Sequence, residues 1–205
     1  PWLTSAMHAS NAVWYVAYGS NLLEARFLAY LAGCGDGPAW GAHRGARDPS
    51  PPSGDRRVVV PHLVFFGGHS RKWQGGCCLC RAEPPEPGRL PVVGRAWRIT
   101  WDQMADVAAQ ENNRPTDQAS MPETPPPPGT AVRVLDGVID LVVGMPEVDG
   151  EPACTLASSD PPGIGPPSLT YRDVLAAGMA EAGPPQRKPA ERKTKSKKGA
   201  PVALT

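Results

Sequence analysis

The apolar positions of this chain fall into short runs and one-faced stripes, separated by breaks rich in Gly and Pro. An unbroken apolar run at 13–17 predicts a buried strand. It runs into Tyr18-Gly19-Ser20-Asn21-Leu22, after which the spacing becomes helical over 22–31, with Leu23, Phe27 and Tyr30 or Leu31 on one face. Gly33 to Pro38 stops that helix, and residues 38–57 form a long Arg/Pro/Gly/Ser loop. Loops of this length inside a domain are usually functional or mobile. Strand signals follow at 58–60, 63–66, 76–81 and 92–99, set apart by Gly- or Pro-rich turns. Thr100, with Gln103 three residues on, opens a helix that ends near Asn113, before Pro115. The polar stretch 114–130, with prolines at 125–128, is predicted to be an extended excursion or a disordered insertion. Beyond it lie strands at 132–135 and 138–143, an Asp149-Gly150 hairpin turn, and a strand at 153–157. A last helix over 169–181 has Ser168 as N-cap and Tyr171 at N3. Runs of strands punctuated by three helices predict an α+β domain, not alternating βαβ units.

Two readings of the Tyr18-to-Leu22 corner stand side by side. A strand turning sharply into a helix aims backbone N–H groups and the positive end of the helix dipole at one point, where an anion can sit. Gly19 permits a tight or positive-φ backbone and a close ligand approach, and Ser20 and Asn21 add donors and acceptors. Alternatively, Asn21 is simply an N-cap with Glu24 at N3, a capping box that needs no ligand.

Composition narrows the classes. A chain of 205 residues holds one domain with a substantial core, and its 26 Pro and 22 Gly imply many irregular connections. The net charge of +1 conceals an asymmetry. Residues 184–205 carry Arg187, Lys188, Arg192, Lys193, Lys195, Lys197 and Lys198 against Glu191, leaving the body mildly acidic. That tail is expected to be disordered, to bind nucleic acid weakly at most, and to be dispensable. Residues 1–12 read as a disordered lead-in. With neither a long apolar run nor a basic-then-apolar leader, the expectation is a cytoplasmic protein without a membrane partner. The sequence does not specify an oligomeric state.

The five cysteines, at 34, 77, 78, 80 and 154, do not describe a disulfide framework. Cys77 and Cys80 have C-x-x-C spacing, which invites a metal or redox reading, but no second pair exists to complete a zinc site. In a strand, Cys77 and Leu79 share one face and Cys78 and Cys80 the other, and small buried cysteines are ordinary there. The four histidines, His8, His43, His62 and His69, show no paired metal-ligand spacing, so no metal is expected.

The run Tyr15-Val16-Ala17-Tyr18-Gly19-Ser20-Asn21-Leu22 resembles the signature of the gamma-glutamylcyclotransferase-like superfamily, whose members open with a strand running into Tyr-Gly-Ser-Asn-Leu. A second likeness lies in Gly94-Arg95-Ala96-Trp97-Arg98-Ile99-Thr100 and the helix after it, which closes on Gln110-Glu111. In that family a Gly-led strand leads to a helix ending near a Gln-Glu pair, whose Glu is the catalytic acid/base. The resemblance covers about 13–183, is specific at these two places, and is nearer to divergent bacterial branches than to the glutathione-pathway enzymes.

It implies a compact mixed β-barrel with flanking helices and the substrate at the barrel mouth. The implied reaction is cyclotransfer: the α-amine of a small gamma-glutamyl amine attacks its own γ-carbonyl and releases 5-oxoproline and an amine, with no cofactor. By the same resemblance Glu111 is catalytic, and Tyr18, Gly19, Ser20, Asn21 and Leu22 bind substrate. Loop 38–57 lies where specificity could be set, and Trp73 either walls the pocket or fills the core. A non-catalytic small-anion sensor on the same fold is the alternative, and a zinc-dependent amidohydrolase or deacetylase is a weaker one for want of ligands.

Overall fold

The computed structural model describes residues 11–183. The basic tail at 184–205 and all but the end of the expected lead-in lie outside the described residues. Ala12 already belongs to the first strand.

In chain order the elements are β1 (Ala12–Ala17), α1 (Glu24–Ala32), β2 (Gly54–Val60), β3 (Val64–Ser70), β4 (Gly75–Cys80), β5 (Val92–Thr100), α2 (Trp101–Glu111), β6 (Ala131–Arg133), β7 (Leu141–Val148), β8 (Glu151–Ala157) and α3 (Leu169–Glu181). Six strands form one mixed sheet in the order β2-β5-β1-β8-β7-β6. In it β1 runs antiparallel to β5 and parallel to β8. β3 and β4 make a separate antiparallel ribbon. The α+β class is therefore as expected. The expected barrel is instead an open sheet with a ribbon beside it: Ser158 N–H donates to Cys80 O (2.8 Å), but no ladder among the described residues closes the circuit.

The continuous apolar character of β1 follows from burial on both faces. Val13, Tyr15 and Ala17 point towards the core that α1 and α2 cover, with Phe27, Leu31, Met104 and Val107. Trp14 and Val16 enter a second cluster with Val60, Ala96 and Met145. β2 begins earlier than the apolar signal, at Gly54, because Gly54 to Arg57 pair with Arg98 to Arg95 of β5.

Two helix starts match their local signals. Thr100 and Gln103 form the reciprocal capping box, and Ser168 accepts from Tyr171 N–H (3.2 Å). The third does not. A single 3-10 turn, Ser20–Leu22, precedes α1, whose N-cap is Leu23 with no side-chain bond. The Asn21/Glu24 capping box is thus not formed, and the Glu24 N–H donates to Glu181 Oε2 (2.9 Å) instead. Gly178 of α3 makes room for this turn, since a Cβ there would lie 2.5 Å from Leu23 N.

The Pro-rich stretch 114–130 is ordered and docked. Trp101 Nε1 donates to Pro122 O (2.9 Å), Ser120 N–H to Val134 O (2.7 Å), and Gly129 N–H to Gly144 O (2.9 Å). Ala119 and Met121 pack on the main core. Of the two expectations for this segment, the extended excursion is what forms.

Candidate active site

Beside the strand-to-turn corner lies a cavity of about 800 Å³. Tyr18, Gly19, Ser20, Asn21 and Glu111 all line it. Asn21, which the sequence could offer equally as a cap or as a ligand group, turns away from α1. Its Nδ2 donates to Glu111 Oε1 (2.8 Å) and to Tyr15 Oη (3.1 Å). The corner and the end of α2, ninety residues apart, therefore meet within hydrogen-bond distance. Asn21 is 4% exposed, and its Oδ1 has no partner among the described residues. The amides of Gly19, Ser20 and Asn21 likewise have no acceptor there. They are the orphan donors of the 3-10 turn, not of α1, whose first amide is taken by Glu181.

The corner's carbonyls are held from the sheet. Trp97 Nε1 donates to Asn21 O (2.8 Å), and Arg95 Nη1 to Leu22 O (3.0 Å). Both residues lie on β5, in register with Tyr15 and Ala17 of β1. Tyr18 reaches across to donate to Leu156 O (2.8 Å). Gly19 has φ −117°, so it is not used for a positive φ; what it provides is proximity. A Cβ on it would stand 3.1 Å from Tyr171 Oη and 3.3 Å from Cys78 Cβ.

Glu111 is held by its neighbours in sequence. Gln110 Nε2 donates to Tyr30 O (2.9 Å), tying the end of α2 to α1. Asn112 donates through Nδ2 to Ile139 O (2.7 Å) and accepts from Ile139 N–H (3.1 Å). Around the carboxylate stand three tyrosines, the buried Tyr15 and Tyr30 and the half-buried Tyr18, each with its pKa raised by burial first and by the Glu111 charge as a further cause. They remain protonated, and so able to donate, throughout the physiological range.

Leu22 does not join this group. It is fully buried against Trp73, Tyr171 and α3, and does not line the cavity. As an apolar side chain turned into the core, it fixes the turn from below and does not face the cavity. Trp73 does both things weighed for it: it is buried edge-on to Tyr171 and lines the cavity. Of loop 38–57, Ala42, His43 and Arg44 reach the cavity, positioned by the two bonds between His43 and Cys34 backbones (2.9 and 3.0 Å).

Sequence reading missed Tyr15, Arg26, Tyr30, His43 and Lys72, which also line the cavity. Arg26 carried a signal: it is a charged residue four positions before Tyr30, beside Phe27 on the apolar stripe. His43 and Lys72 sit in a loop and a turn and carried none. Among the described residues no group of three or more His, Cys, Asp or Glu side chains could hold a metal ion, and all five cysteines are free. No helix there is long and apolar enough to cross a membrane.

No family model matches the chain. Among curated proteins, a 111-residue segment is 33% identical to histone deacetylase 5 of Arabidopsis thaliana, covering 53% of this chain and 16% of that protein. The chain thus spans a small part of the curated relative it matches. Among solved structures, an uncharacterized human protein, loc79017, aligns with a TM-score of 0.50 at 19% identity, over 85% of this chain and 82% of that one. A gamma-glutamyl cyclotransferase aligns at 0.46 and 19% identity, over 84% and 80% of the two chains. YkqA of Bacillus subtilis aligns at 0.45 and 14% identity, over 84% and 49%. At these identities the likeness is one of fold: over 85% of its length this chain shares the fold of the uncharacterized human protein.

Proposed function

We propose that this protein is a gamma-glutamyl amine cyclotransferase with Glu111 as its acid/base. The observation that carries the reading is the 2.8 Å bond between Asn21 and Glu111 in the lining of one cavity. A reaction whose nucleophile belongs to the substrate asks two things of the protein: a fixed geometry for the folded glutamyl chain, and a carboxylate that moves protons. The acceptor-free amides of 19–21 suit the glutamyl carboxylate. The unpartnered Asn21 Oδ1, beside Glu111, suits the α-ammonium.

In this scheme the α-nitrogen bonds to the γ-carbonyl carbon, and the bond from that carbon to the amine nitrogen breaks. Of the three ammonium protons one stays on the lactam nitrogen and two pass to the departing amine, with Glu111 carrying each in turn. No water is consumed. The buried tyrosine hydroxyls around Glu111 keep the site structured while its charge changes.

The test is a mass-spectrometric screen for 5-oxoproline over a panel of gamma-glutamyl amines, run on the wild type and on Glu111→Gln. Release by the wild type that falls roughly 10²–10⁴-fold in the variant, the usual worth of acid/base catalysis, is the expected result. Near-normal release by Glu111→Gln would remove this residue from the chemistry. Tight binding of gamma-glutamyl compounds with no release from any of them would make the protein a sensor. The zinc amidohydrolase reading has no ligand set among the described residues to support it.

A further inference from the structure

The mechanism leaves one group of cavity residues unused: Arg26 from α1, His43 from the loop before β2, and Lys72 from the β3–β4 turn. Arg26 is 3% exposed, yet its guanidinium meets only neutral partners among the described residues. Nη1 bonds His43 Nε2 (2.8 Å), Nη2 donates to Tyr30 Oη (3.0 Å), and Nε has no partner. The other deeply buried guanidinium, Arg95, is treated differently. It pairs with Asp55 and Glu181 at 2.9 Å each, and with Glu24 at 3.8 Å.

Lys72 Nζ approaches the same His43 Nε2 at 3.4 Å. Two cations thus converge on one imidazole lone pair, so that nitrogen is the acceptor and the ring proton sits on Nδ1. His43 stays neutral, its pKa pushed down to about 3 by burial and then by Arg26 and Lys72. Burial, with Arg26 as a further cause, also lowers the pKa of Lys72. The nearest carboxylate in the cavity, Glu111, is bonded to Asn21 and committed to the chemistry. Buried positive charge held against a neutral acceptor is costly, and an anion would relieve it.

We propose that Arg26, His43 and Lys72 form a carboxylate subsite, separate from the corner at 18–21, for an acidic group on the amine portion of the substrate. This subsite rests on the cyclotransferase reading. The α-carboxylate is one carbon from the α-amine, so it must stay by the corner that touches Glu111. Arg26 bonds the Tyr30 hydroxyl, which in turn lies beside Glu111, so an anion held by Arg26 is one side chain away from the acid/base. Its planar fork suits a carboxylate, with Lys72 as a second charge nearer the opening.

The test is calorimetric titration of the Glu111→Gln chain, whose turnover is slowed enough to read binding. Its two ligands are gamma-glutamyl-glycine and gamma-glutamyl-methylamide, the second lacking only the carboxylate. The acid is expected to bind roughly 10–100-fold tighter, the usual worth of charge-assisted hydrogen bonds. Adding Lys72→Met or Arg26→Met should cut that ratio several-fold or more. Lys72 is exposed, so its variant decides the matter even if Arg26→Met fails to fold. Equal affinities, a ratio that both variants leave unchanged, or binding of neither ligand would overturn the subsite. Release of 5-oxoproline from gamma-glutamyl-methylamide by the wild type is read separately, so a failed subsite and a failed enzyme give different results.

Discussion

Replacing Trp97 by Phe removes one N–H from a buried carbonyl and little else. The ring stacks on Phe27 (centroids 5.0 Å apart, planes at 15°), and a phenyl group retains much of that contact. What is lost is the 2.8 Å bond from Nε1 to Asn21 O, together with part of the attraction of Arg95, whose guanidinium carbon lies 3.9 Å from the ring centroid. A buried carbonyl left unsatisfied costs about 1–3 kcal/mol, and a weakened cation–π contact about 0.5–1 kcal/mol. At roughly 2–4 °C per kcal/mol for a chain of this size, Tm should fall by about 3–15 °C.

Trp101→Phe is the control. It deletes the same kind of bond, from Nε1 to Pro122 O (2.9 Å), at a residue whose indole does not hold the 18–22 corner. Both variants should lose stability in calorimetric melting. Only Trp97→Phe should also raise KM in a 5-oxoproline assay, because Asn21 and the amides around it are no longer held. A Trp97→Phe protein with wild-type Tm, or one with lowered Tm but unchanged KM, would refute the idea that β5 shapes the corner.

Other expectations can be checked in the same assays. Gly19→Ala already sets a Cβ 3.1 Å from Tyr171 Oη and 3.3 Å from Cys78 Cβ and should raise KM modestly, whereas Gly19→Val, with two further methyl groups, should raise it much more. Equal effects of the two would show that space at Gly19 is not limiting. Asn112→Ala frees the end of α2 from Ile139 and should lower kcat and cost about 1–3 kcal/mol by denaturant titration; an unchanged kcat would show that Glu111 needs no such tether. His43, whose folded pKa of about 3 lies below its ordinary 6.5, binds a proton more readily once unfolded. Its contribution is therefore full above about pH 6.5 and is lost as pH falls towards 3. Tm should drop less steeply between pH 6.5 and 4 in His43→Gln than in the wild type, and identical slopes would contradict a neutral His43.

What the sequence made legible was what is decided locally. Thr100 with Gln103, and Ser168 with Tyr171, are bonds between residues three apart, and the strand runs are apolar because both faces of β1 are covered. The same local rule misled at Asn21. Its competitor for the side chain was not another cap but Glu111, ninety residues on, and only the packed sheet brings that carboxylate close. The likeness to a known family pointed to the pair, yet it could not separate Leu22, which faces the core, from its neighbours in the motif. The Pro-rich stretch reads from its composition as polar chain, an extended excursion or a disordered insertion. Besides Ala119 and Met121, its anchors are backbone groups and Trp101, which composition does not register. Gly54 to Arg57 gave no strand signal because their pairing comes from β5, not from their own side chains.

Arg95 and Trp97 reach from β5 to hold the carbonyls of Asn21 and Leu22, and this has a dynamic consequence. Ligand-contacting loops usually belong to the least protected parts of a protein and open without the rest. Here the corner can open fully only by breaking side-chain bonds rooted in a strand that pairs with both β1 and β2. In native-state hydrogen exchange the buried Leu22 amide, bonded to Gly19 O, should therefore exchange with the slow unit that contains β5. The long loop that carries His43 should exchange faster. One wall of the cavity would be as durable as the fold itself, and the other free to adjust to what enters.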